Sequence, residues 1–143
     1  MKTFKSILAF VLFATLVSAC GPGAVILHFS NPYTPLPEDS NLMTGEIKID
    51  SSSVFLTKDQ PPQVMVNFAY FPPTPCYKLR VEIGGTGEQH QISLKAYAVA
   101  PKDKPCTLMA LSTPQQASLN LGSVPKGHYT VLLNGEQIGE FDA

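Results

Sequence analysis

The sequence predicts an all-β chain, folded as a two-sheet sandwich of about seven or eight strands. Three observations carry that expectation. Apolar residues recur with period two over most of the chain after residue 46, and no window after residue 20 shows a 3.6-residue apolar stripe. The chain has 13 Pro, 10 Gly and no Trp, a composition that disfavours long helices. Turn residues, Asn134-Gly135 above all, separate the alternating segments. At 143 residues with 44% apolar side chains, there is room for one domain with a packed core.

The strands follow in order. Val64, Val66, Phe68 and Tyr70 alternate with Met65, Asn67, Ala69 and Phe71. Tyr77, Leu79, Val81 and Ile83 alternate with Lys78, Arg80 and Glu82, the cleanest stripe in the chain. Ile92, Leu94, Ala96 and Ala98 form a third stripe, Ala117, Leu119 and Leu121 a fourth, and Tyr129, Val131 and Leu133 a fifth. Weaker strands are expected at 46–49, 54–56 and 137–141. Successive side chains of a strand face opposite sides of the sheet, so each stripe marks a half-buried strand. Asn134-Gly135 tolerates the positive φ of a type I′ turn and predicts a closing hairpin. That hairpin pairs Leu133 with Glu136 and Val131 with Ile138, with a bulge at Gly139 bringing Phe141 onto the face of Tyr129. Gly84-Gly85-Thr86-Gly87 is read as another hairpin connection, because no helix or Lys-Ser/Thr signature of a phosphate loop follows.

Residues 1–19 read as an address. Lys2 and Lys5 precede an apolar run of 11 residues, Ile7 to Val17, interrupted only by Thr15. Crossing a bilayer takes roughly 20 apolar residues, so the run fits a signal-peptide core. It ends in Val17-Ser18-Ala19-Cys20, which resembles the lipobox of bacterial lipoproteins: an apolar residue three places before the cysteine, then two small ones. The resemblance implies cleavage between Ala19 and Cys20, a diacylglyceryl thioether on Cys20 and a further acyl chain on the new amino terminus. Two or more chains anchor stably where one does not. Gly21 stands where inner-membrane retention would favour Asp, so the outer membrane is implied for a host with two membranes. Residues 20–45, with Pro22, Pro32, Pro35 and Pro37, are expected to form a lipidated amino terminus and a Pro-rich tether, leaving 46–143 as the domain. Within the tether, Ala24-Val25-Ile26-Leu27-His28-Phe29 is too apolar for a plain linker and is expected to dock as an edge strand, the alternative being that it rests at the lipid interface.

A second resemblance lies in Leu121-Gly122-Ser123-Val124-Pro125-Lys126-Gly127-His128-Tyr129-Thr130-Val131. It is similar to the corner that enters a late strand of immunoglobulin-like and fibronectin-III-like domains. The resemblance implies an immunoglobulin-like sandwich in which the Tyr129 hydroxyl bonds backbone a few residues upstream. The Trp and intersheet disulfide of antibody domains are absent. Cys76 and Cys106, once exported, are expected to pair instead. Their bond closes a loop of 31 residues, worth roughly 3.5–4 kcal/mol by loop entropy.

Little in the chain points to chemistry. Ten Lys and Arg against 11 Asp and Glu leave no basic excess for nucleic acid. Three cysteines far apart do not make a zinc site, and His28, His90 and His128 lack metal-site spacings. There is no Gly-x-Ser-x-Gly elbow. The sequence therefore predicts a protein without cofactor or metal, not an enzyme. Its expected role is non-catalytic binding or structural support at the cell envelope, with the membrane and an unknown protein or cell-wall partner. The alternative is a protease inhibitor acting through end loops. Tyr70, Phe71, Pro72 and Pro73 form a candidate partner-binding loop, or else a stiff crossover between sheets. The connection from Pro101 to Gln116 is long enough to carry function, or to hide a strand near Leu108, Met109 and Leu111.

Overall fold

The structure is a computed structural model that describes residues 31–85, 90–104, 109 and 111–143. The signal segment with Ala19 and Cys20, the apolar cluster 24–29, Thr86, Gly87, Cys106 and Leu108 lie outside the described residues.

Eight strands form two sheets, and the only helical element among the described residues is a 3₁₀ turn, Pro37–Asn41. The strands are β1 Met43–Gly45, β2 Lys48–Leu56, β3 Val64–Phe71, β4 Lys78–Gly84, β5 Gln91–Ala100, β6 Gln115–Asn120, β7 His128–Leu133 and β8 Glu136–Asp142. One sheet is β2-β3-β6, antiparallel throughout. In the other, β5 carries β4 along one edge and divides its second edge between β7 and β1, with β8 beyond β7. β5 and β7 run parallel, while the other pairs are antiparallel. All-β sandwich architecture is thus what the alternation predicts.

The stripes explain the core. Val64, Val66 and Phe68 of β3, Val81 of β4, Ile92 and Leu94 of β5, Leu119 of β6 and Val131 of β7 point between the sheets and are at most 1% exposed. Their alternating neighbours, such as Lys78, Glu82, Lys95 and Ser118, remain in solvent. No polar or charged residue is buried among the described residues, so the interior is held by apolar packing alone.

Two expectations need correction. Residues 31–45 do not hang as a tether, because β1 pairs with β5 (Met43↔Ala100, Gly45↔Ala98) and the chain before it is bound to β4. The Val81 N–H donates to the Tyr33 carbonyl at 2.8 Å, and Asn31 Nδ2 donates to the Val81 carbonyl at 2.7 Å. The domain therefore includes this segment, which occupies an edge of β4 that would otherwise be open. The second correction concerns the last hairpin. Asn134 and Gly135 take φ of 52° and 88°, and Leu133 pairs with Glu136 as expected. However, Val131 pairs with Gly139, so the extra residue is Ile138, not Gly139. A Cβ on Gly139 would sit 3.0 Å from Val54, so glycine there lets β8 approach β2 closely. Tyr129 still faces Phe141, as predicted.

Candidate functional site

The strap that ends in β1 is pinned by one ion pair. Arg80, on the solvent side of β4, donates from Nε to Asp39 Oδ2 at 2.6 Å and from Nη2 to Asp39 Oδ1 at 3.0 Å. Both side chains are about nine-tenths covered. The Leu36 N–H donates to the same carboxylate at 2.7 Å, closing the start of the 3₁₀ turn. The hydrogen bond from Arg80, helped by that from Leu36, holds the Asp39 carboxyl below its ordinary range. Arg80 is raised in turn, chiefly by its bond to Asp39.

Below the strap lies an open cleft of about 490 Å³ lined by Thr44, Gly45, Glu46, Glu82, Lys95 and Tyr97. A second, of about 370 Å³, shares Glu46, Lys95 and Tyr97 and reaches Ile47, Ala96 and Asn134. Its origin is topological. β7 pairs with β5 over Gln91 to Leu94 and β1 over Ala98 to Ala100, so the stretch between them lacks a strand on that edge. Asn134 fills the gap. Its Oδ1 accepts the Ala96 N–H at 2.7 Å, its Nδ2 donates to the Ala96 carbonyl at 2.9 Å, and its own N–H donates to the Leu94 carbonyl at 2.8 Å. One side-chain amide thus substitutes for a strand residue. On the adjoining surface the Lys95 ammonium stands 3.5 Å from Glu82 and 5.5 Å from the centre of the Tyr97 ring. Burial, then the Glu82 carboxylate, push the Tyr97 hydroxyl up.

The loop expected to meet a partner is turned inward. Tyr70 is 5% exposed and donates its hydroxyl hydrogen to Gln115 Oε1 at 2.8 Å, while Pro72 is buried and Phe71 half-buried. Pro73 is exposed but leans on β1: a Cβ on Gly45 would lie 2.9 Å from Pro73 Cγ and 2.7 Å from Tyr77 Cε1. The stiff-crossover reading fits these contacts, since the loop joins one sheet to the other and seats the strap.

At the opposite end of β5 the parallel pairing brings His90 beside Tyr129, 39 residues on in the chain. The His90 carbonyl accepts the Thr130 N–H, and the His90 ring meets the Tyr129 ring edge-on at 5.0 Å. His128 places Nδ1 2.9 Å from Asp142 Oδ1 and Nε2 3.6 Å from Glu140 Oε2, and these carboxylates raise its pKa. His28 lies outside the described residues, and among those described no group of three or more His, Cys, Asp or Glu is placed to hold a metal. Tyr129 is fixed by rings: it stacks on Phe141 at 5.3 Å with an 8° interplanar angle. Among the described residues its hydroxyl makes no bond to the backbone of 121–128 of the kind the corner resemblance implies.

A model of the ORF11 beta-sandwich domain matches residues 64–143. The chain belongs to that family. The ORF11 beta-sandwich match begins at the first residue of β3 and runs through β8, so the strap, β1 and β2 precede it. Those preceding elements nevertheless supply an edge to each sheet. No curated protein and no solved structure matches the chain.

Sequence reasoning missed three residues that organise these surfaces: Asp39, Arg80 as its partner, and the side chain of Asn134. For Asp39 a local signal exists, since Pro37 and an acidic residue two places on suit the first turn of a helix. The pairing with Arg80 has no local signal, because 41 residues separate the partners.

Proposed function

We propose that this ORF11 beta-sandwich protein is a lipid-anchored bacterial cell-envelope protein with a non-catalytic binding or structural role. The observation that carries the reading is Val17-Ser18-Ala19-Cys20 closing an apolar run that starts behind Lys2 and Lys5. Cys20 is the lipidated residue and Ala19–Cys20 the cleaved bond, with the outer membrane favoured where the host has two. The described domain suits such a role through open clefts lined by both polar and apolar side chains. Protease inhibition through an aromatic loop has less support, because Tyr70 and Pro72 are buried.

A Cys76–Cys106 disulfide belongs to the same reading. Lys78 pairs with Val99, so the chain just before β4 and the chain just after β5 leave the sheet at the same end. Cys76 is two residues before Lys78, and Cys106 follows Ala100 by six. Export would place both in a compartment where such a bond persists.

Membrane fractionation of cells producing the wild type and Cys20→Ala tests the anchor. The wild type should sediment with membranes, and the variant should leave them and retain its precursor mass. Unchanged fractionation and an unchanged mass would remove the lipid reading.

A further inference from the structure

The solvent face of the β2-β3-β6 sheet has a composition unlike the rest of the surface. Register places Ser51, Ala69 and Gln116 side by side in one row and Ser53, Asn67 and Ser118 in the next. Apart from Ala69, which is 2% exposed, these two rows hold hydroxyls and amides without a single charge, although the protein has 21 formally charged Lys, Arg, Asp and Glu residues. Phe55, 45% exposed, borders the rows at one end, and half-buried Phe71, paired with exposed Lys48, borders them at the other. Clefts of about 390 and 270 Å³ open on this face, and Asn67 and Gln116 line both.

Asn67 supplies the second observation. Its Oδ1 is buried and has no hydrogen-bond donor, the single such side-chain atom among the described residues. Buried polar atoms are nearly always paired, so an exception at the meeting point of two clefts needs an explanation. A carboxamide oxygen accepts, so what is missing is an O–H or N–H.

We infer that this face binds a glycan strand: a neutral, polyhydroxylated chain that meets an uncharged surface with hydroxyl and N–H donors. Rotation of the half-buried Asn67 carboxamide turns its Oδ1 toward the two clefts, where it accepts from a sugar hydroxyl or acetamido N–H. Ser53, Ser118 and Gln116 exchange hydrogen bonds around it, and the exposed Phe55 ring offers an apolar face to a pyranose. Nucleic acid would require cations that these rows lack. An apolar protein partner would leave the serine and amide groups desolvated without bonds. The inference rests on the non-catalytic binding reading and names the partner class for it.

The test is a ¹⁵N–¹H NMR titration of the full-length protein in detergent micelles with the β-1,4 tetramer of N-acetylglucosamine. Shifts should gather on residues 51–55, 65–69 and 115–120 and on the Asn67 side-chain amide. Asn67→Leu keeps the shape and removes the acceptor, and should weaken binding about tenfold with the spectrum otherwise folded. Should that variant fail to fold, Ser53→Leu, on an exposed position of β2, blocks the same row. Co-sedimentation with insoluble, peptide-free wall glycan separates a wall polymer from a soluble saccharide, and binding to either supports the glycan face. No shifts at about 10 mM tetramer, shifts confined to another surface, or undiminished binding by a folded Asn67→Leu would overturn it. So would displacement of the tetramer's effects by a basic peptide or anionic vesicles bound to the same rows. Cys20→Ala fractionation is independent of these readouts, so loss of the anchor reading and loss of the glycan face are told apart.

Discussion

Replacing Asn134 by glycine removes one carboxamide and leaves the turn able to keep its positive φ of 52°. Two hydrogen bonds disappear, from the Ala96 N–H at 2.7 Å and to the Ala96 carbonyl at 2.9 Å. At a net 0.5–1.5 kcal/mol for each, the loss is about 1–3 kcal/mol. For a domain of this size roughly 4 °C accompanies each kcal/mol, so Tm should fall by about 4–12 °C. Asn134→Ala loses the same bonds and adds a side chain that resists the left-handed region, a further cost of about 1–2 kcal/mol. Thermal and urea denaturation of the full-length protein give both differences, and hydrogen exchange locates them. The Ala96 amide should exchange faster in Asn134→Gly, while amides at the centre of β3 should change only as global stability does. A glycine variant within about 0.5 kcal/mol of wild type, with the Ala96 amide still protected, would show that Asn134 does not bridge the strand gap.

Three further outcomes follow from contacts of the strap and the β7–β8 pair. Asp39→Asn should free the strap, seen as faster limited proteolysis at residues 34–42 with the β3–β8 fragment intact. Because the Asp39 carboxyl is lowered from 3.8, its contribution is present above that value and is lost as pH falls through the folded value; acid should open the strap in the wild type. His128 is raised from 6.5, so its contribution is complete below 6.5 and disappears as pH rises through the folded value. NMR titration should put its midpoint above 6.5 and Asp142→Asn should lower it; an unchanged midpoint would remove the Asp142 pairing. Gly45→Ala forces a methyl to within 2.7 Å of Tyr77 and 2.9 Å of Pro73, which should cost about 1–3 kcal/mol and speed exchange of amides in β1. Wild-type stability for that variant would mean that the crossover does not seat the strap.

Much of the sandwich was legible because its core is apolar and its strands are half-buried. Leu79, Val81, Lys78, Arg80 and Glu82 declare an inside and an outside without reference to any other segment. The type I′ turn was equally local, since Asn134 and Gly135 suit positive φ by their own chemistry. What escaped is held by polar contacts between distant residues. The strap reads as tether because Pro32, Pro35 and Pro37 suggest an extended linker, whereas its anchor is Arg80, 41 residues beyond Asp39. His90 and Tyr129 meet only because β5 and β7 run parallel, a pairing that the stripes do not encode. The bulge moved one residue, to Ile138, because the closeness of β2 to Gly139 is set by the second sheet. Asn67 was legible as an outward strand residue, but its unpaired oxygen depends on atoms of three strands.

The anchor can be weighed directly. Intact-mass measurement of the protein extracted from producing-cell membranes, with sequencing of its amino-terminal peptide, should find a chain that starts at Cys20 and carries the added mass of the diacylglyceryl and acyl groups. A mature chain that starts elsewhere, or one with an unmodified Cys20, would contradict the proposed lipid anchor.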